Sequence, residues 1–155
     1  MKTRTIALTI VTCFVGLTLA FAAENPNMGT WKLNEAKSKF SPGAAKNTTV
    51  VYAAAGDSVK VTVDGVDGQG KPTHNEWTGK FDGKDYPLVG DSNATTRAYK
   101  KVSDSKMELI NKKDGKPTTT ASIVVSADGK TRTVTIKGTD SKGNKVEETA
   151  VYDKQ

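Results

Sequence analysis

Three short turn signals, Asp114-Gly115, Asp128-Gly129 and Lys142-Gly143, recur at near-equal intervals in the second half of this chain. Between them lie stretches in which Val, Ile and Ala alternate with Thr, Ser and Lys. Alternation with a period of two is the pattern of a strand with one face buried. Asp-Gly suits a tight hairpin because both positions tolerate positive φ. Strands joined by such short links pair with their sequence neighbours and run antiparallel, so the pattern predicts a meander.

The same reading extends over the chain. Strands are predicted at Gly29–Asn34, Thr48–Ala53, Ser58–Val66, Thr73–Phe81, Tyr86–Val89, Thr95–Val102, Lys106–Lys112, Pro117–Ser126, Thr131–Thr139 and Lys145–Tyr152. A helical turn is expected near Glu35–Lys39, Asp82-Gly83 reads as a further hairpin turn, and Gly143-Asn144 closes the last connection. No segment carries a sustained helical period. A strand of about 8 residues is about 26 Å long, and two free edges of that length would invite aggregation. Closing the sheet removes both edges. The expected fold is therefore all-β, an antiparallel meander closed into a barrel of eight to ten strands. A β-sandwich is the alternative, although few loops are long enough for its crossovers. The alternation assigns Val59, Val61 and Val63, then Ala121, Ile123 and Val125, then Val134 and Ile136, to the buried faces. Trp77 and Phe81 share such a face, with Gly79 between them.

The N-terminus reads differently. Lys2 and Arg4 precede an apolar run from Ile6 to Ala20, and Ala20-Phe21-Ala22 follows with small-x-small spacing. This is the layout of a secretory signal peptide, expected to be removed as residues 1–22. The run of about 15 residues is shorter than the roughly 20 that a spanning helix needs, so no membrane anchor is expected in the mature chain. Residues 23–155 would form one domain, exported and either periplasmic or secreted. The only cysteine, Cys13, would leave with the leader. That excludes disulfides and thiolate chemistry, and it fits a bacterial envelope protein better than a disulfide-stapled secreted domain.

Charge and composition narrow the function. The chain carries a formal charge of +6, two units of which lie in the leader, and its lysines are spread over turns. No basic cluster alternates with stacking aromatics, so nucleic acid is not an expected partner. Catalysis is also disfavoured. His74 is the only histidine, and no serine sits in a nucleophile-elbow sequence. His74 and Glu76 fall on the face opposite Trp77, which is the outer one. No catalytic residue, cofactor or transition-metal site is expected. Asp64 and Asp67 flank a Gly-rich turn whose spacing permits oxygen-only calcium ligation, but turn chemistry explains the same residues.

Gly29-Thr30-Trp31 on the first strand, followed by a meander of this length, resembles the lipocalins and their calycin relatives. Gly-Thr-Trp-Lys-Leu-Asn, with Ala-Lys-Ser-Lys-Phe after it, is similar to small exported lipocalin-like proteins of bacteria whose function is mostly unassigned. The resemblance implies a structural role for Gly29 and Trp31, with the Trp packed across the closed end of the barrel. Lipocalins usually pair that Trp with an Arg near the last strand, where this chain offers only Arg132. The stretch Glu35–Asn47 is also unlike their long first loop. Fatty-acid-binding relatives hold a carboxylate with an Arg-x-Tyr pair inside the barrel, so the resemblance makes Arg97 and Tyr99 candidates for ligand contact. In those relatives the pair lies on the last strand, whereas here it is mid-chain. The residue pattern favours the opposite orientation, with Arg97 and Tyr99 outward and Ala98 and Val102 toward the core. Trp77, Phe81, Val61, Leu109 and Ile123 are available to line a cavity. Two functions follow as expectations. One is a non-catalytic binding protein for a small, partly apolar ligand. The other is a filled barrel whose outer surface binds an envelope protein or glycan.

Overall fold

The computed structural model describes residues 25–139, 143 and 145–155. The expected leader with Cys13 lies outside the described residues, as do Lys142 and Asn144 of the last turn. Ten strands close into one antiparallel barrel in which each strand pairs with its sequence neighbours. They are β1 (Gly29–Leu33), β2 (Lys46–Ala55), β3 (Ser58–Val66), β4 (Pro72–Gly79) and β5 (Tyr86–Val89). β6 (Thr96–Lys101), β7 (Lys106–Lys113), β8 (Lys116–Val125), β9 (Thr131–Thr139) and β10 (Lys145–Lys154) complete the circuit. Closure comes from β1 against β10, with Trp31 opposite Lys154 and Leu33 opposite Tyr152. The closed barrel is compatible with the lipocalin-like, calycin type of fold and removes the edges that a sandwich would leave.

The turns explain the short links. At Asp114-Gly115 both residues have positive φ, 51° and 77°, in a two-residue hairpin closed by the Lys113–Lys116 pair. This is the backbone twist that matches antiparallel strands. Asp82-Gly83 differs from expectation. It is no hairpin turn between neighbouring strands but part of the segment joining β4 to β5. There Asp82 bridges Lys100, and the Gly83 N–H donates to the Tyr99 carbonyl. The predicted fourth strand accordingly stops at Gly79 rather than running to Phe81. The expected helical turn is a single 3-10 turn at Glu35–Lys37, capped by the Asn34 side chain.

One half of the barrel interior is solid. Trp77 stacks on Phe81 at 6.2 Å and meets Tyr99 edge-on at 4.8 Å, and Tyr52 packs edge-on against Tyr99 and Phe81. Val61 and Met107 are completely buried with them. Buried indoles need a partner for their N–H. Trp77 Nε1 donates to the Arg97 carbonyl and Trp31 Nε1 to the Asn27 carbonyl, each at 2.8 Å. Offset and edge-on aromatic pairs each add about 0.5–1.5 kcal/mol beyond area burial, so this cluster is a major anchor of the fold. The outer faces carry the Thr and Lys residues, as the alternation requires.

Candidate functional site

The other half of the interior is not solid. A cavity of about 80 Å³ lies above the aromatic cluster. Its apolar wall includes Val50, Val63, Leu109, Ile123, Val134 and Ile136, and its polar lining includes Arg97, Arg132, Tyr52, Tyr99 and Tyr152. Asn47, Asn111 and Thr119 line it as well, beside two irregularities of register. One falls between Asn47 and Thr49 on β2, the other between Asn111 and Lys112 on β7. Bulges of this kind re-aim side chains at the rim of a barrel. The volume holds a few water molecules or the head of a small organic acid, and is well below the roughly 300–1,000 Å³ of ordinary ligand pockets.

Arg97 and Tyr99 point inward, contrary to the orientation favoured by the residue pattern, and both are buried. Of the two residues expected toward the core, Ala98 is buried as well, whereas Val102 is 48 % exposed. The physical reason is that the interior supplies polar partners. Arg97 Nε donates to Asn111 Oδ1 at 2.7 Å and Nη1 to Asn75 Oδ1 at 3.4 Å, while Asp91 Oδ2 lies 3.8 Å from Nη2. These partners come from β4, β7 and the loop after β5, so no local pattern announces them. Tyr99 is pressed among Tyr52, Trp77 and Phe81. Burial raises its hydroxyl pKa far above the ordinary phenol value and keeps it neutral. Burial likewise pushes Tyr152 up to about 12.

Trp77 and Phe81 do not line the cavity. They fill the barrel below it, together with Val61, whereas Leu109 and Ile123 do form its wall. Gly79 makes the filling possible, because a Cβ there would lie 2.5 Å from Tyr86 Cγ and 2.7 Å from Trp77 Cζ2. Trp31 is completely buried, and Gly29 begins β1 with a φ of 100°. The Arg132 guanidinium carbon lies 5.0 Å from the Trp31 ring centre, and Lys154 Nζ lies 5.3 Å from it. A Trp–Arg contact is therefore present, although the Arg comes from β9 and not from the last strand.

Sequence reasoning noted Arg132 only as the late Arg and missed its place in the cavity. The signal was its parity with Val134 and Ile136, which are two and four residues further along the same strand. Glu148 on β10 is a second missed interior group. It is buried, and desolvation raises its carboxyl pKa above the usual range.

The outer face is simpler. His74 Nδ1 is 2.7 Å from Asp64 Oδ1 and Nε2 is 3.7 Å from Glu76, with all three side chains about half exposed. Asp67 instead accepts from the backbone N–H groups of Gln69 and Lys71, so the two aspartates considered for calcium serve separate local roles. A shallow depression of about 340 Å³ runs over β7, β8 and β9, bordered by Glu108, Ile110, Thr120, Ser122, Thr135 and Lys137. No helix among the described residues is long and apolar enough to cross a membrane.

Fold and cavity together define a small closed antiparallel β-barrel with a polar-floored internal chamber. No protein-family profile matches the chain, and no curated protein matches it.

Proposed function

We propose that this protein is an exported, non-catalytic lipocalin-like barrel that binds a small, partly apolar ligand in its interior. The observation that carries this reading is the cavity itself. A barrel of this size could have been filled by its own side chains, yet apolar walls and eight polar side chains are left around an unfilled volume. Apolar surface with a few fixed polar groups is the usual chemistry of a small-molecule site. The size of the chamber restricts the guest to a small molecule, or to one that projects from the barrel mouth. The basic, apolar and small-x-small layout of residues 1–22 supports export. Calycin kinship is supported by Gly29-Thr30-Trp31 and by the Arg132–Trp31 contact.

Native mass spectrometry of the protein purified from its host's envelope tests both parts. A mass beginning near Ala23, with a stoichiometric small molecule released on unfolding, is the expected result. A bare mass together with co-purification of a protein or glycan would favour the second reading, a surface-binding module. The shallow Thr-bordered depression on β7–β9, next to the partly exposed Ile110, supports that alternative.

A further inference from the structure

The two interior arginines are not equivalent. Arg97 engages Asn111, Asn75 and Asp91. Arg132 is only 2 % exposed, yet its Nε and Nη1 have no hydrogen-bond partner among the described residues. It makes no ion pair with a carboxylate among them either. What surrounds it is aromatic, with the rings of Tyr152, Trp31 and Tyr52 centred 4.7, 5.0 and 5.1 Å from its guanidinium carbon. Ring faces stabilise a cation, but they offer no lone pair to the N–H groups in the guanidinium plane. A buried cation without a counter-charge is costly, and such groups are normally paired. Arg132 also lines the cavity, beside the Tyr52, Tyr99 and Tyr152 side chains, whose hydroxyls can donate to an acceptor.

We infer that the Arg132 end of the cavity is an anion site that takes the carboxylate of a small, partly apolar acid. The inference rests on reading the interior as a ligand site and adds the ligand's charge and orientation. The carboxylate supplies the missing counter-charge at Arg132, and the tyrosines complete its hydrogen bonds. The apolar part lies against Leu109, Ile123, Val134 and Ile136, directed toward the rim formed by Asn47, Asn111 and Thr119. Arg97 serves as a fixed wall, because Asn111, Asn75 and the Asp91 carboxylate already hold its guanidinium in place. This reverses the assignment suggested by the Arg-x-Tyr pattern, in which Arg97 would have been the anchor.

The test uses the isotopically labelled full chain, freed of any endogenous ligand, and two probes of matched size, butanoate and butan-1-ol. Saturable NMR shifts of the Arg132 Nε–H and of the Leu109, Ile123 and Val134 methyls are expected with butanoate. Butan-1-ol should bind at least ~10-fold more weakly, since a neutral guest cannot compensate the charge. Arg132→Gln should weaken butanoate by a similar factor and so close the gap between the two probes. If Arg132→Gln does not fold, the two probes on the native protein still decide the matter. Equal binding of both probes inside the barrel would overturn the anion site while leaving an interior binding protein. Butanoate shifts confined to the outer face, or centred on Arg97, would also overturn it. Failure of both probes to enter would overturn the anion site and the interior-binding reading together.

Discussion

Gly79 gives the sharpest test of how the solid half of the barrel is packed. An added Cβ would sit 2.5 and 2.6 Å from Tyr86 Cγ and Cδ2 and 2.7 Å from Trp77 Cζ2. Carbon atoms rest at about 3.5–4.0 Å, so each contact is about 1 Å too close. Trp77 cannot yield, being fully packed and tied to the Arg97 carbonyl. Tyr86 must swing instead, giving up its edge-on contact with Trp77 at 5.7 Å and its hydroxyl bond to Asp82 at 3.0 Å. The aromatic pair is worth about 0.5–1.5 kcal/mol and a partly exposed hydrogen bond about 0.5–1 kcal/mol. Reduced freedom of the unfolded chain returns about 0.4–1 kcal/mol. The overlap with Trp77 remains after Tyr86 has moved, and overpacking of this kind costs about 1–3 kcal/mol more, so Gly79→Ala should destabilise by about 3 kcal/mol, lowering Tm by about 10 °C. Urea unfolding followed by tryptophan fluorescence measures this, with the slope expected to stay constant. Combining it with Tyr86→Ala should recover about 1 kcal/mol in a double-mutant cycle, because one of the two clash partners is gone while Trp77 remains. A Gly79→Ala protein as stable as the parent, or a cycle with no coupling, would refute the steric account.

Met107 is completely buried at the centre of the core, and Met107→Ala should cost about 3 kcal/mol by the same urea assay. The hydrogen bond that the His74 ring donates to the Asp64 carboxylate holds the His74 pKa above its ordinary value, so Asp64→Asn should bring an NMR titration of the ring back down. The sign follows: the pair favours the fold below the ordinary histidine pKa, and this contribution fades as pH rises through the raised folded value. Glu148 behaves oppositely to a paired carboxylate. Its raised pKa means that ionisation opposes folding once pH passes the ordinary Glu value, so Glu148→Gln should raise Tm at pH 7 and change it little at pH 4.

The strands were legible because each has one dry and one wet face, and a period of two records that directly. Asp114-Gly115 was legible for a local reason, the positive φ at both positions. The interior polar groups were not. Ala98 is small and apolar, so alternation on β6 favoured it over Arg97 as the inward residue. What turns Arg97 inward is a set of acceptors at positions 75, 91 and 111, brought together only by closure. Asp82-Gly83 has hairpin chemistry but spends it on a bend against β6. Arg132 could have been placed inside from Val134 and Ile136, but the lack of a hydrogen-bond partner for its Nε and Nη1 among the described residues depends on every strand around it.

The contact between β1 and β10 also means that the barrel cannot close until both ends of the described chain have met. Trp31 meets Lys154 across nearly the whole described chain, so the last ten-residue strand must be present before the cylinder can shut. Until then β1 and β9 each offer an unpaired edge, and every shorter nascent form is an open sheet prone to pairing with its own kind. Pairing of such distant segments is slow, because the loop must close before any contact rewards it. Loss of a few residues from the C-terminus would therefore act less like trimming a tail than like leaving a seam unstitched along the length of the molecule.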